Sequence, residues 1–327
     1  MTRFWTHAGA SNAVVPLVAL AGTLGSSALA GFTLTASTLV LVASGSFLVY
    51  CVENHGVRAA SDAINCPSRR LWAQSHRSLL ACAVVAGTAG LLVSLSVQRL
   101  AVWVILVPLS LITFAYQNPL HPGRALKRHP LLKPLLVATG WSAGVVLLPA
   151  AASGAPLSGV VWAAFAYRAA PYFVNAVLCD IPDVPGDRAA GIRTLPMILG
   201  DRRTVRWCAV PCLAATLILI AFSLSGPTKS ILALDAVGLL LLPLAVGWPS
   251  SPAVSREQVI GSIFLFSFMY LLLALVWIFI LNKKIHEGPE SPASSDDERK
   301  KAGFLDVAAR RAGGEDAPPK ADGEEAQ

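Results

Sequence analysis

Apolar runs of roughly 20 residues recur along the chain, and short polar segments separate them. A helix needs about 20 apolar residues to cross the hydrocarbon core of a bilayer, so each run predicts a transmembrane α-helix. We predict an all-α polytopic membrane bundle of about nine such helices, in which closely spaced pairs form antiparallel hairpins. Their ranges are Ala13–Gly31, Phe32–Val52, Ser78–Val97, Leu100–Tyr116, Pro134–Ala151, Gly159–Cys179, Trp207–Leu224, Ile231–Trp248 and Val259–Leu281.

Composition divides the chain into two parts. The chain is 54% hydrophobic and 14% charged, whereas soluble domains carry about 25% charged residues. Near Lys283 the composition changes to one rich in Glu, Asp, Pro, Gly and Ala, and the segment that follows holds eleven of the nineteen acidic residues. Because it has few large apolar residues to bury, we expect it to be disordered. We therefore predict a transmembrane domain at residues 1–282 and a charged tail at residues 283–327.

Basic residues indicate the orientation of the helices. With the N-terminus inside, fifteen lysines and arginines fall on the inner side, and only Arg99 and Lys229 fall in the opposite loops. The positive-inside rule therefore places the N-terminus and the three long loops in the cytoplasm, in a membrane of the bacterial inner type. Orientation accounts for the basic face, so we predict no nucleic-acid partner. Nine spans place the tail outside, but Lys283 and Lys284 disfavour that, so its side stays open.

The first apolar run has two interpretations. Arg3, the run itself and the segment SSALAG resemble a secretory signal with a small-residue cleavage site. A second apolar run follows at once, as in a helical hairpin, and this favours a retained first helix.

Acidic residues before the tail are few and clustered. Of eight, five lie in two short segments, each directly after a predicted span on the inner side. The first segment is VENHGVRAASDAINCPSRR, from Val52, and the second is DIPDVPGDRAAGIRTLPMILG, from Asp180. Asp180, Asp183 and Asp187 have the spacing i, i+3 and i+7, which is one stripe of a helix. Pro182 and Pro185 disfavour a regular helix, so the stripe is either a first turn or an irregular extension.

This acidic stripe predicts a cation site. Like charges on one stripe repel each other unless a cation binds, and carboxylate oxygens suit Mg²⁺, which typically bridges carboxylates to phosphates. Basic residues suited to phosphate oxygens occur in the same inner loops: Arg124, Lys127, Arg188 and Arg193. The pattern indicates a metal-bound phosphorylated ligand, and the alternative is a solvated loop whose acids balance nearby arginines.

The second segment resembles the second aspartate motif of the UbiA superfamily of intramembrane prenyltransferases, DxxDxxxD followed by a Gly…Thr-Leu-Pro…Gly signature. The resemblance extends over about residues 10–281 and does not include the tail. Residues 116–141, YQNPLHPGRALKRHPLLKPLLVATGW, are similar to the family's loop after the fourth span, where Tyr and Lys or Arg engage the diphosphate. The resemblance implies a helical bundle around a central cavity that opens to lipid. It also implies Mg²⁺-dependent transfer of a prenyl chain from a prenyl diphosphate to a lipophilic, usually aromatic, acceptor.

The first segment departs from the family pattern NDxxDxxxD. Asn54 matches the leading Asn and Asp62 the last Asp, but His55 and Arg58 stand where the pattern has its other two aspartates. Arg58 either grips the diphosphate by bidentate hydrogen bonds, replacing part of one metal's charge, or its presence weakens catalysis.

Site residues follow from the resemblance. It implies catalysis by Asp180, Asp183, Asp187 and Asp62, and Mg²⁺ binding by these four residues together with Asn54. The predicted substrate-binding residues are Asn54, Arg58, Tyr116, Arg124, Lys127, Arg168, Arg188 and Arg193. Arg168 is added because a charge inside a predicted span is costly, and it could steer an anionic acceptor or pair with Asp235 or a carbonyl.

Two alternatives to an enzyme stay open. One is a diverged, non-catalytic member that binds or presents an isoprenoid diphosphate. The other is an unrelated polytopic transporter, which internal repeats would favour.

Overall fold

The computed structural model describes residues 12–55, 64–65, 67–118 and 120–223, and every regular element within them is helical. In chain order these elements are α1 (Val14–Ala30), α2 (Ala36–His55), α3 (Pro67–Ser75), α4 (Arg77–Ser96), α5 (Leu100–Gln117), α6 (Leu132–Ser142), α7 (Leu148–Ser153), α8 (Gly159–Ala189), α9 (Leu195–Leu199) and α10 (Asp201–Ser223). Two 3₁₀ turns, Pro122–Arg124 and Leu126–Arg128, lie between α5 and α6, and a π-helical turn, Ala143–Leu147, joins α6 to α7.

The first seven predicted spans coincide with described helices. Three of these are long and apolar enough to cross a membrane: Arg77–Ser96, Leu100–Gln117 and Leu132–Ser153, with shorter apolar helices at Val14–Ala30 and Ala36–Val52. The sequence did not predict the short helix α3, and α8 continues ten residues beyond the predicted end at Cys179. The spans Ile231–Trp248 and Val259–Leu281, like the tail, lie outside the described residues.

The outer surface of the bundle is apolar where α4 and α5 lie. Leu92 and Val93 on α4, and Val104 and Leu111 on α5, are exposed, and Leu100 is 79% exposed. In water such a continuous apolar surface would drive association, whereas in lipid it is the expected outer face. These exposed apolar side chains fit the predicted all-α membrane bundle.

Helix α8 lies at the centre of the packing. It contacts α6, α10 and α1, and Tyr167, Val174 and Val177 are almost fully buried among the α10 side chains of Cys208 and Cys212 and their neighbours. Small residues on α1 permit its close approach, since a Cβ at Gly22 would lie 2.7 Å from the Tyr172 hydroxyl. The position of α8 therefore fixes what its C-terminal end presents.

Candidate functional site

Two aspartates of the acidic stripe meet one lysine. Lys133, at the start of α6, places Nζ 2.7 Å from Asp180 Oδ1 and 2.7 Å from Asp187 Oδ2. Asp180 and Asp187 are seven residues apart on α8, so their Cα atoms lie about 10.5 Å apart along the axis, on the same side of the helix. Their side chains converge on the ammonium of Lys133, which lies between them. The side chains of Asp180, Asp187 and Lys133 are 5%, 6% and 16% exposed, so this is a desolvated ion-pair cluster.

The stripe belongs to a regular helix, so the expectation of a first turn or an irregular extension is wrong. Helix α8 continues through Pro182 and Pro185 to Ala189. Each proline removes one backbone donor, but burial of α8 between α6 and α10 outweighs that loss.

Asn65 connects the first acidic segment to the second. Its Oδ1 accepts a hydrogen bond of 2.7 Å from the backbone N–H of Gly186, and the Asn65 side chain is buried. The contact joins positions 121 residues apart. Asn65 is not among the predicted site residues, but its place in the first acidic segment, three residues after Asp62, could have indicated it.

The carboxylates leave capacity for a further cation. Asp180 Oδ2 is buried and accepts no hydrogen bond from the part of the chain that the structure describes. Asp183, half-buried one turn along the helix, and Asp187 both act on Asp180 by like-charge repulsion. Among the described residues no group of three or more His, Cys, Asp or Glu side chains lies close enough together to hold a metal ion. An all-oxygen set with excess negative charge and an orphaned buried oxygen nevertheless fits Mg²⁺.

The basic loop before α6 lies at the same end of α8. Lys127 Nζ donates a 2.8 Å hydrogen bond to Gln117 Oε1 at the end of α5, beside the buried Tyr116. Arg128 packs over Gly191, where a Cβ would lie 2.6 Å from its Nη2. The loop therefore reaches the turn that follows the acidic stripe, and Arg128 joins the predicted basic residues there.

Three predicted phosphate-binding arginines, Arg124, Arg188 and Arg193, are exposed. Arg124 lies in the basic loop before α6, and Arg188 and Arg193 lie beside the turn after α8. Because they are exposed, burial does not prevent their contact with a ligand. Their role stays a prediction.

Arg168 is buried inside the bundle, on α8 and twelve residues before Asp180. Its guanidinium carbon lies 5.2 Å from the centroid of the Tyr167 ring, and its Nη2 is 2.5 Å from the position of a Cβ at Gly25. Gly25 thus makes room for the guanidinium of Arg168. Asp235, the alternative partner predicted for Arg168, lies outside the described residues.

The structure describes only the first residues of the degenerate first motif. Asn54 lies in the last turn of α2, and its side chain is outside the described set. Arg58 and Asp62 also lie outside the described residues. The roles predicted for these three residues stay predictions.

Three aromatic side chains form a cluster deeper in the bundle. Trp141 Nε1 on α6 donates a 2.9 Å hydrogen bond to the Tyr50 hydroxyl on α2. The Trp141 ring stacks on Tyr172 of α8 with centroids 5.2 Å apart. Tyr172 precedes Asp180 by eight residues and Trp141 follows Lys133 by eight, so the cluster lies about 12 Å along the helices from the ion pairs.

The fold and these contacts define an all-α integral membrane protein with an acidic and basic site at one end of a long central helix. The model of the UbiA prenyltransferase family matches residues 12–269, and the chain belongs to this family. The predicted resemblance to the UbiA superfamily is thereby confirmed.

Relatives and solved structures agree with the family. Digeranylgeranylglyceryl phosphate synthase of Halobacterium salinarum is 38% identical over 154 residues, 46% of this chain and 51% of the relative. The enzyme of that name from Natronomonas pharaonis is 31% identical over 178 residues, 53% of this chain and 57% of the relative. The chain therefore spans little more than half the length of the curated relatives it matches.

Solved structures with the same fold include two UbiA homologues. One from Aeropyrum pernix has a TM-score of 0.57 at 17% identity, covering 81% of this chain and 97% of that chain. Another, from Archaeoglobus fulgidus and bound to GPP and Mg²⁺, has a TM-score of 0.58 at 15% identity, covering 84% and 99%. These similarities confirm the polytopic membrane helical bundle.

Proposed function

We propose that the protein transfers a prenyl group from an isoprenoid diphosphate to a lipid acceptor within the membrane. The observation that carries the proposal is the buried Asp180–Lys133–Asp187 cluster, with its orphaned carboxylate oxygen, beside a basic loop. The relatives named as digeranylgeranylglyceryl phosphate synthases, and a homologue that binds GPP and Mg²⁺, support it.

Mg²⁺ would be held by Asp180, Asp183 and Asp187, with Asn54 and Asp62 of the first motif as further ligands. When bound, it supplies positive charge that neutralises the diphosphate and makes it a better leaving group. The orphaned Asp180 Oδ2 and the repulsion among the carboxylates are the features of this chain that favour such an ion.

Basic side chains would bind the diphosphate. Lys127 is held by Gln117 at the end of α5, and Arg124, Arg188 and Arg193 are exposed at the same loops. Fixed cations near the developing charge stabilise the departing diphosphate more effectively than water does, because they need no reorganisation. Tyr116 and Arg58 complete the predicted diphosphate set.

The aromatic cluster would line the path of the prenyl chain. Tyr50, Trp141 and Tyr172 contact one another inside an apolar bundle, and aromatic rings in such a place stabilise cations and exclude water. The allylic C–O bond breaks with its electron pair on the diphosphate. The acceptor then bonds to the allylic carbon and loses its proton.

The acceptor we propose is an isoprenoid glyceryl phosphate, because the product named for the relatives contains a glyceryl phosphate group. Arg168, a buried cation on the same helix as the aspartates, would bind the acceptor's phosphate. An aromatic acceptor, implied by the family resemblance, is the second candidate.

Prenyl transfer by the purified protein tests the proposal. The protein would be incubated with Mg²⁺, radiolabelled prenyl diphosphates, and either an isoprenoid glyceryl phosphate or an aromatic acceptor. We expect labelled product with the glyceryl phosphate, and loss of at least about 100-fold in rate in Asp183→Asn, the effect typical of removing one electrostatic catalytic group. Asp201→Asn, an acid outside the stripe, is the matched control and should retain activity.

Other results would decide between the candidates. Product formed only with aromatic acceptors would overturn the proposed glyceryl phosphate acceptor. Tight diphosphate binding without turnover on any acceptor would replace the enzyme with a binding protein, and diphosphate flux into liposomes would favour the transporter.

We also propose that residues 1–282 form the catalytic domain and residues 283–327 a tail that transfer does not require. The active-site loops would face the cytoplasm from an inner-type membrane, so that a soluble diphosphate head reaches the site while the prenyl chain stays in lipid. A chain ending at residue 282 should retain the transfer rate of the full protein.

A further inference from the structure

Lys133 is a cation already held by the site. Its Nζ contacts Asp180 Oδ1 and Asp187 Oδ2 at 2.7 Å each, and both carboxylates are buried. The lysine comes from a different helix and lies 47 and 54 residues from these partners, so it is part of the tertiary structure of the site and not of the motif.

The ammonium takes the place that a shared metal ion would need. Both oxygens contact one nitrogen, so they are separated by no more than twice 2.7 Å. Mg²⁺ would need carboxylate oxygens of the same two residues as ligands. Asp180 Oδ1 and Asp187 Oδ2 could therefore not hold a divalent cation between them while Nζ occupies that place.

The lysine can leave when a stronger cation arrives. Its side chain is more exposed than either carboxylate and has a flexible four-carbon stem. Asp183 adds like-charge repulsion on Asp180, and Asp180 Oδ2 accepts no hydrogen bond within the described part of the chain. One ammonium therefore balances only part of the local negative charge.

We propose that Lys133 is a built-in competitor of the divalent cation. It holds Asp180 and Asp187 together when the metal is absent, withdraws when the metal binds, and so lowers the affinity for free metal. This inference deepens the proposed function and rests on its divalent-cation site. Its consequence is that the metal binds best together with a diphosphate, whose oxygens become the partners of the released ammonium.

Binding of Mn²⁺ alone to the full chain in detergent tests the inference, with free Mn²⁺ followed by electron paramagnetic resonance. Lys133→Met removes the charge and keeps the length of the side chain. We expect it to bind Mn²⁺ at least about tenfold more tightly than wild type, equivalent to about 1.4 kcal/mol. The matched control is Lys127→Met, because Lys127 donates to the neutral Gln117 and its loss should leave the affinity close to wild type.

Thermal unfolding provides a second measurement that does not depend on activity. Without metal, Lys133→Met leaves two buried carboxylates facing each other, so its Tm should fall in EDTA. Added Mg²⁺ should raise the Tm of this variant more than that of wild type, because a ligand stabilises the folded state in proportion to its affinity. Lys133→Gln, whose amide can still donate to one carboxylate, replaces Lys133→Met if that variant does not fold.

The outcomes separate the two proposals. Mn²⁺ affinities in the Lys133 variants equal to or weaker than wild type overturn the competitor role and leave the cation site intact. An equal gain in Lys127→Met shows a general charge effect and also overturns it. Mn²⁺ binding by none of the proteins overturns the cation site itself.

Discussion

At the scale of single residues, the hydrogen bond from Gly186 to Asn65 gives the first prediction. Asn65→Ala removes this hydrogen bond between buried groups, which contributes about 0.5–1.5 kcal/mol to stability. We expect a lower Tm in detergent and a slower prenyl transfer, because the bond fixes α8 one residue before Asp187. Asn65→Gln keeps a neutral amide acceptor and should lose less stability, and equal losses in the two variants would contradict the role of this bond.

The residues of the site differ in how far the sequence reveals them. Asp180, Asp183 and Asp187 stand out because their spacing places them on one helix face in a region with few other acids. Lys133 was counted only among basic residues of the inner face, since nothing local marks it. Its importance comes from the packing of α6 on α8, which brings its ammonium between two carboxylates.

At the scale of elements, the turn after α8 carries the second prediction. Gly191 has φ +67°, and the N–H of Ile192 donates to the carbonyl of Asp187 at 2.8 Å, which closes the helix end. Gly191→Ala adds about 1–2 kcal/mol of left-handed strain and forces Arg128 away. We expect a lower Tm and weaker diphosphate binding by calorimetry.

Gly123→Ala is the control for that substitution. A Cβ at Gly123 meets nothing within 4 Å, and the residue lies in the same basic loop region. It should unfold and bind diphosphate like wild type. Equal effects of the two substitutions would show that the turn conformation at Gly191 is unimportant.

Element boundaries show where sequence patterns stop being informative. The apolar runs predict the ends of α4, α5 and α1 to within one or two residues, because hydropathy changes sharply there. Helix α8 extends past its run, since packing against α6 and α10 stabilises a polar, proline-containing turn that local propensity disfavours. The short helix α3 was missed because its residues are polar and carry no long apolar period.

At the scale of the whole molecule, the all-α membrane class follows from the long apolar runs together with the low charge. A chain that is 54% hydrophobic has no soluble fold that could bury its long apolar runs. The arrangement of helices around α8 does not follow in this way, because every apolar helix offers similar surfaces to lipid and to its neighbours. Small residues such as Gly22 and Gly25, which admit Tyr172 and Arg168, decide which faces meet.

Orientation of the whole bundle is the last prediction. Basic residues concentrate in the loops of one side, so the loop that contains Gly123 should face the cytoplasm and the loop that contains Pro156 should face the opposite side. Both residues are exposed and suit single cysteines in a background without the six native ones. In intact cells a membrane-impermeant maleimide should label Pro156→Cys, and it should label Gly123→Cys only after permeabilisation. Both variants should react in detergent, which controls for accessibility. Labelling of Gly123→Cys from outside would invert the bundle and place the diphosphate site on the face opposite to the one proposed.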